Sequence, residues 1–212
     1  MKYSKTQIDK YRDALVDHND WADYIKDEFT EKMNNIGVRV DRILFTGFWS
    51  QGDGACFEGK VEDWGKYLLR HGIDNPILTE VAKESWWFEV MHTGRYYHHK
   101  SVVYDCAIYR PLSPWHYKSK NSVYEFTEAD KEYLREGLSE ADGLRYDAWY
   151  NTMDLFNLEY LSSIFEEDME DHMQDLYQQL AKEYEHLTSD ETLTEWMNDN
   201  DIIPHELTET EN

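Results

Sequence analysis

Three histidines and an acid, His92, His98, His99 and Asp105, fall within fourteen residues of one another. Imidazole and carboxylate together bind zinc or ferrous ion when their donor atoms converge. In extended backbone, however, His98 and His99 point to opposite faces, so at most one joins a given site, and ordinary polar positions are the better reading. Gly47-Phe48-Trp49-Ser50-Gln51-Gly52-Asp53-Gly54-Ala55 has the glycine content of an anion nest of backbone amides. It lacks the glycine-lysine-serine/threonine ending of a phosphate loop and a following helix, which favours a structural turn. Ser50 and Cys56 have nucleophilic atoms but no recognisable base partner or elbow motif. Paired carboxylates do acid-base work only where burial or a close neighbour separates their pKa values, and the acids here are too many and too helical for that. No catalytic residue, metal ligand or cofactor is assigned, and the chain reads as a non-enzyme. A small metal-dependent enzyme built on the hairpin histidines stays as an alternative.

The acids suggest a different mechanism. Residues 1–124 carry 18 acids against 17 bases, whereas residues 125–212 carry 26 acids against only Lys131, Arg135, Arg145 and Lys182. Glu166, Glu167, Asp168, Glu170, Asp171 and Asp175 crowd one helical stretch. Duplex DNA presents one charge per about 1.7 Å of axis, and its binding proteins match it with arrays of Lys and Arg. A rigid acidic helix can occupy such a basic cleft, with electrostatic attraction setting the association rate. The leading expectation from the charges is a mimic of nucleic acid that occupies the cleft of a basic nucleic-acid-binding protein, through Glu166, Glu167, Asp168, Glu170, Asp171 and Asp175. The alternative interface is the glycine-rich turn with Trp49, Gln51 and Asp53.

Composition narrows the partners further. Of 212 residues, 41% are hydrophobic and 15% aromatic, enough apolar surface to offset chain ordering, so the chain folds. A formal net charge of -23 repels nucleic acid and anionic lipid, which leaves protein as the partner class. There is no run of about 18 apolar residues and no apolar stretch after Met1, so a cytoplasmic location is expected. Cys56 and Cys106 are too few for a disulfide framework; reduced thiols are expected, with one bridge left open. The aromatic surplus also suits a dimer interface, so the oligomeric state stays open.

The elements that must hold these groups follow from periodicity. Residues 6–33 repeat apolar positions at three and four, broken at His18-Asn19-Asp20, and read as two helices with Asn19 or Asp20 capping the second. Strands are expected at 38–49, 55–61, 86–92 and 101–109, with Gln51-Gly52-Asp53-Gly54 and Thr93-Gly94-Arg95 as hairpin turns. Short helices are expected at 64–71 and 77–84. Phe45, Phe48, Phe57, Trp86, Trp87 and Phe88 are the expected aromatic core. Pro111 and Pro114 mark a break, and helix dominates beyond Thr127, where Thr127 and Asp130 form a cap before Tyr133, Leu134 and Leu138. A long helix over 148–187 carries an apolar stripe of Phe165, Met169, Met173 or His172, Leu176, Leu180 and Tyr184. Thr188 and Glu191 form a capping box for a last helix bearing Leu193, Trp196 and Met197, and the polar tail 205–212 is expected to fray. The fold class is α+β: an antiparallel sheet covered by helices, in a helix-flanked sheet region 1–110 with an acidic, mainly helical region 111–212 packed on it.

Three segments resemble a family of small phage and prophage proteins of antitoxin-like type. They are Ile43-Leu44-Phe45-Thr46-Gly47-Phe48-Trp49-Ser50-Gln51-Gly52-Asp53-Gly54-Ala55-Cys56-Phe57-Glu58-Gly59, then His92-Thr93-Gly94-Arg95-Tyr96-Tyr97-His98, and the stretch from Leu180 to Glu191. The first is the most specific. The stretch from Pro111 to about Asp168 is longer than that family's pattern. The resemblance implies phage origin and a role in the host cytoplasm against a toxin or defence system, and it carries over no catalytic residue. With it, the expected mimic becomes an inhibitor that blocks a basic nucleic-acid-binding host protein such as a defence nuclease or a repair or transcription factor, and the glycine-rich turn becomes the surface of an antitoxin-like protein that neutralises a toxin.

Overall fold

The computed structural model describes residues 3–16, 19–109, 117–119, 140, 143, 144, 147 and 158–202. The fold is α+β, a five-stranded antiparallel sheet in the order β1-β2-β3-β4-β5 with helices packed on it. In chain order the elements are α1 (Lys5–Val16), α2 (Asp23–Asn35), β1 (Val38–Phe45), β2 (Ala55–Val61), α3 (Trp64–Arg70) and α4 (Pro76–Ser85). They continue with β3 (Trp86–His92), β4 (Val102–Tyr109), β5 (Tyr117–Ser119), α5 (Leu158–Leu187) and α6 (Asp190–Asp199). The helix expected after Thr127, the start of the long helix at Ala148 and the tail 205–212 lie outside the described residues.

Two compact units divide the chain: Phe29–Asp175 forms one, and Met1–Glu28 with Leu176–Asn212 forms the other. The first and last helices of the chain fall in the same unit.

In the larger unit the sheet is built by strand parity. Phe57, Trp86, Phe88, Val90 and Ile108 point to one face and are buried. The register pairs Gly59 with Val90, Phe88 with Cys106 and Trp86 with Ile108, which aligns these side chains into a single apolar surface. Trp64, Tyr67 and Leu68 of α3, Leu78, Val81 and Ala82 of α4, and Phe165 and Met169 of α5 are also buried. Phe165 is the hub. Its ring lies 5.3 Å from Phe88, 6.0 Å from Tyr104 and 6.1 Å from Tyr67, all edge-on, the arrangement that aligns ring edge with ring face. Trp64 similarly meets Trp86 and Phe88 at 5.3 Å.

Parity also corrects the expected core. Trp87 lies on the opposite face from its neighbours, 37% exposed, with Lys60 above its ring at 4.5 Å and its indole N–H donating to Glu89. Phe45 and Phe48 are only half-buried and stack on each other where β1 ends.

Local chemistry sets the element ends. Asp63 caps α3 by accepting from the Lys66 amide, and Asn75 caps α4 by accepting from Ile77 and Leu78 ahead of Pro76 at its first position. Ile73 N–H returns to the Leu68 carbonyl and Gly72 N–H to Leu69, the paired bonds that close a helix through a left-handed glycine. β5 was not expected; it pairs with β4 beyond the Pro111–Pro114 break.

The smaller unit packs α1 and α6 with the last turns of α5. Ile8, Leu176, Leu180, Leu193 and Met197 are buried. Tyr11 lies 4.8 Å from Trp196, and Trp21 5.9 Å from Tyr184. The Arg12 guanidinium bridges Asp9 and Asp190 and donates to the Thr188 carbonyl at 2.8 Å. A 3-10 turn, Asn19–Ala22, stands where Asn19 or Asp20 was expected to cap α2 directly. The last capping residue also differs from expectation. Ser189 caps α6 by accepting from Thr192, while the Thr188 hydroxyl donates to Tyr184 and so completes α5.

Candidate functional site

β1 stops at Phe45, short of the expected end at Trp49, which at φ 83° has a backbone that a strand does not accommodate. Residues 46–54 therefore form a loop, closed at its base by Thr46 N–H donating to the Gly54 carbonyl and at its tip by Asp53 N–H donating to Ser50. The connection between β3 and β4 is likewise longer than the expected turn. Thr93 and Gly94 both donate to the Ser101 carbonyl, and residues 99–101 form a 3-10 turn.

Antiparallel pairing of β1 with β2 and β3 with β4 puts both connections at the same end of the sheet, and there they interlock. A Cβ on Gly54 would sit 2.7 Å from His98 Cα and 3.0 Å from the Tyr97 carbonyl oxygen, so only glycine allows the second loop to lie this close. Gly52, at φ 99°, presses against the Tyr96 ring. Two motif segments some 40 residues apart in sequence thus make one surface. Its outward side chains are Trp49, 72% exposed, Tyr96, 49% exposed, Gln51 and Arg95, whose guanidinium stands 5.7 Å from the Tyr96 ring.

Behind this surface is a charge-assisted support. Arg42 donates to both oxygens of Glu58, at 2.9 and 3.0 Å, and Glu58 also accepts from the His92 amide. The Arg42 hydrogen bond holds the Glu58 carboxyl below the usual carboxylate range. His92 Nε2 lies 3.2 Å from the Tyr96 carbonyl oxygen, which ties the support to the second loop.

Asp53, expected to face a partner, instead braces its own loop by accepting from the Ser50 amide at 2.5 Å. Gln51 and Trp49 do face outward. His98 and His99, expected on opposite faces of a strand, lie in the loop and the 3-10 turn with rings 3.9 Å apart. Among the described residues no three His, Cys, Asp or Glu side chains are placed to hold a metal ion. Neither Cys56 nor Cys106 is in a disulfide and both are buried, and burial pushes the Cys56 thiol up to about 12, far from a reactive thiolate.

The six α5 acids expected to face a partner, Glu166, Glu167, Asp168, Glu170, Asp171 and Asp175, do not share one free face. Phe165, Met169, His172, Met173, Leu176 and Leu180 take the buried arc, which forces the acids onto its two flanks and the crest. On one flank Asp168 accepts from Arg70 at 2.5 Å with its side chain only 12% exposed, and Asp175 pairs with Lys32 at 2.6 Å. On the other, Glu170 lies 3.3 Å from His99 Nε2, and the Tyr104 hydroxyl has its pKa raised first by burial and then by the nearby charges of Glu170 and Glu166. Glu167 and Asp171 stand on the exposed crest, without an ion pair among the described residues. At 1.5 Å rise per residue these two charges are about 6 Å apart, sparser than a duplex.

The aromatic and Arg composition of the loop surface was legible residue by residue; its assembly from two segments was not. The signal available was the shared strand register, since both glycine-containing connections must lie at the same end of an antiparallel sheet.

The family described as "Domain of unknown function (DUF8835)" matches residues 21–190, and the chain belongs to it. No curated protein and no solved structure matches the chain. Among the described residues no helix is long and apolar enough to cross a membrane.

Proposed function

We propose that this member of the family is a non-catalytic inhibitor that docks on a partner protein through the paired loops 46–54 and 93–98. The observation that carries this reading is Trp49. A bulky residue held at φ 83° costs of order 1–3 kcal/mol, and here it leaves an indole largely in water. Exposed Trp, Tyr and Arg clustered on a rigid base are the residue types that dominate binding energy at protein interfaces. The resemblance of these same segments to antitoxin-like phage proteins supports the reading, together with phage origin and action in the host cytoplasm. The test is a pull-down from host lysate eluted by a salt gradient. A partner that stays bound at high salt and is not released by DNA supports docking through the loops.

A second reading has its own observation, the 26 acids against 4 bases in residues 125–212. It makes the protein a nucleic-acid mimic that blocks a basic nucleic-acid-binding host protein, with Glu167 and Asp171 among its contacts. Elution at moderate salt and release by added duplex DNA would favour it over the loops.

A further inference from the structure

The fold draws Asp168 of α5 inward, its side chain only 12% exposed, and its surroundings are unusual. Arg70 at the end of α3 donates to its Oδ1. His71, the next residue, has Nε2 3.9 Å from Asp168 Oδ2, and His172, one turn along α5, has Nε2 3.6 Å from Oδ1. The His71 ring lies 4.8 Å from that of Tyr67. Asp168 Oδ2, both Nε2 atoms and the Tyr67 hydroxyl are all solvent-inaccessible and without a hydrogen bond among the described residues. Most buried polar atoms find partners, so four orphans in one place between two helices call for a role.

We propose that His71, Asp168 and His172 form a proton-operated latch between α3 and α5, closed while both imidazoles are neutral and opened when they take up protons. With neutral imidazoles the charges of the cluster are those of Asp168 and of the more exposed Arg70, which cancel. A first proton leaves the cluster at net +1 and a second at +2, with one carboxylate to serve three cations. Around it, α3 contributes Tyr67, Arg70 and His71; α5 contributes Asp168, His172 and Asp175; and α2 contributes Lys32, which pairs with Asp175 and disfavours a charge on His172. Burial lowers both imidazoles from 6.5, outweighing the pull of Asp168. The unfolded or opened state therefore binds protons first as pH falls through 6.5, and the closed state loses stability over that interval. His99 on the opposite flank of α5, beside Glu170 and His98, is lowered in the same direction and is the imidazole to control for.

The test is a pH titration from 8 to 5 of the full chain, following near-UV circular dichroism and the histidine ring resonances together. The wild-type protein is expected to lose its tertiary signal cooperatively below pH 6.5 with uptake of about two protons, and His71→Gln/His172→Gln to hold the signal to a midpoint roughly half a unit lower or more. His99→Gln should leave most of the wild-type transition in place. An unchanged midpoint in the double variant overturns the latch, as does titration of both rings at or above 6.5 with no change in the tertiary signal. Should the double variant not fold, the wild-type ring titration and His172→Gln alone decide the matter by the same criteria.

Discussion

Gly54→Ala tests whether the two loops are one surface. The added methyl would meet His98 Cα at 2.7 Å and the Tyr97 carbonyl oxygen at 3.0 Å, both backbone atoms. Carbon atoms sit comfortably at about 3.5 Å or more, so the second loop must retreat by roughly 0.8 Å. Gly54 is not in the left-handed region, so the cost is steric rather than conformational. Overpacking of this kind costs about 1–3 kcal/mol, equivalent to roughly 5- to 150-fold in the unfolding constant. Urea denaturation followed by tryptophan fluorescence should give a lower midpoint with unchanged slope. If the strain is relieved by the loops parting instead, the Thr46 amide, which bonds to the Gly54 carbonyl, should lose its protection against hydrogen exchange. Wild-type midpoint together with wild-type exchange at Thr46 would refute the interlock.

Further outcomes follow from other parts of the fold. Trp49→Gly should raise stability by about 1 kcal/mol, by relieving the left-handed backbone, while weakening partner binding at least tenfold; equilibrium unfolding and a binding titration together check it. Phe165→Ala removes the ring at the centre of Phe88, Tyr104 and Tyr67 and should cost about 3–5 kcal/mol in the same unfolding assay. Ser189→Ala should cost about 0.5–2 kcal/mol and exceed the effect of Glu191→Ala, since Ser189 makes the capping bond; thermal melts would show the order. Arg42→Ala should raise the Glu58 carboxyl pKa toward its ordinary value. In the wild-type protein the stabilisation from Glu58 is present above 4.5 and lost as pH falls through its lowered folded value, so carboxyl resonances followed from pH 7 to 2 report both.

Much of the fold was legible because it rests on short-range pattern. The span of β2, the positions of α3 and α4 and the apolar stripe of α5 follow from parity, turn residues and a 3.6-residue period. The misreadings arose where one residue had two competing roles. Trp49 reads as a strand aromatic until its backbone turns left-handed, and Thr188 reads as a cap until its hydroxyl turns back to Tyr184. Asp53 and Asp168 show the same limit at the site: a carboxylate in an acidic or polar stretch looks exposed, and only the turn that brings back the Ser50 amide and the tertiary position of Arg70 reveal each as a brace.

Docking through the loop surface and docking through the acidic helix part company in one comparison. Wild-type protein, Trp49→Ala and the Glu167→Lys/Asp171→Lys variant should each be immobilised and exposed to the same host lysate, with retained proteins quantified by mass spectrometry. If the loops meet the partner, a protein is retained by the wild type and by the charge-reversed variant and lost from Trp49→Ala. A protein kept by Trp49→Ala and lost on charge reversal would refute loop docking and assign the contact to the helix.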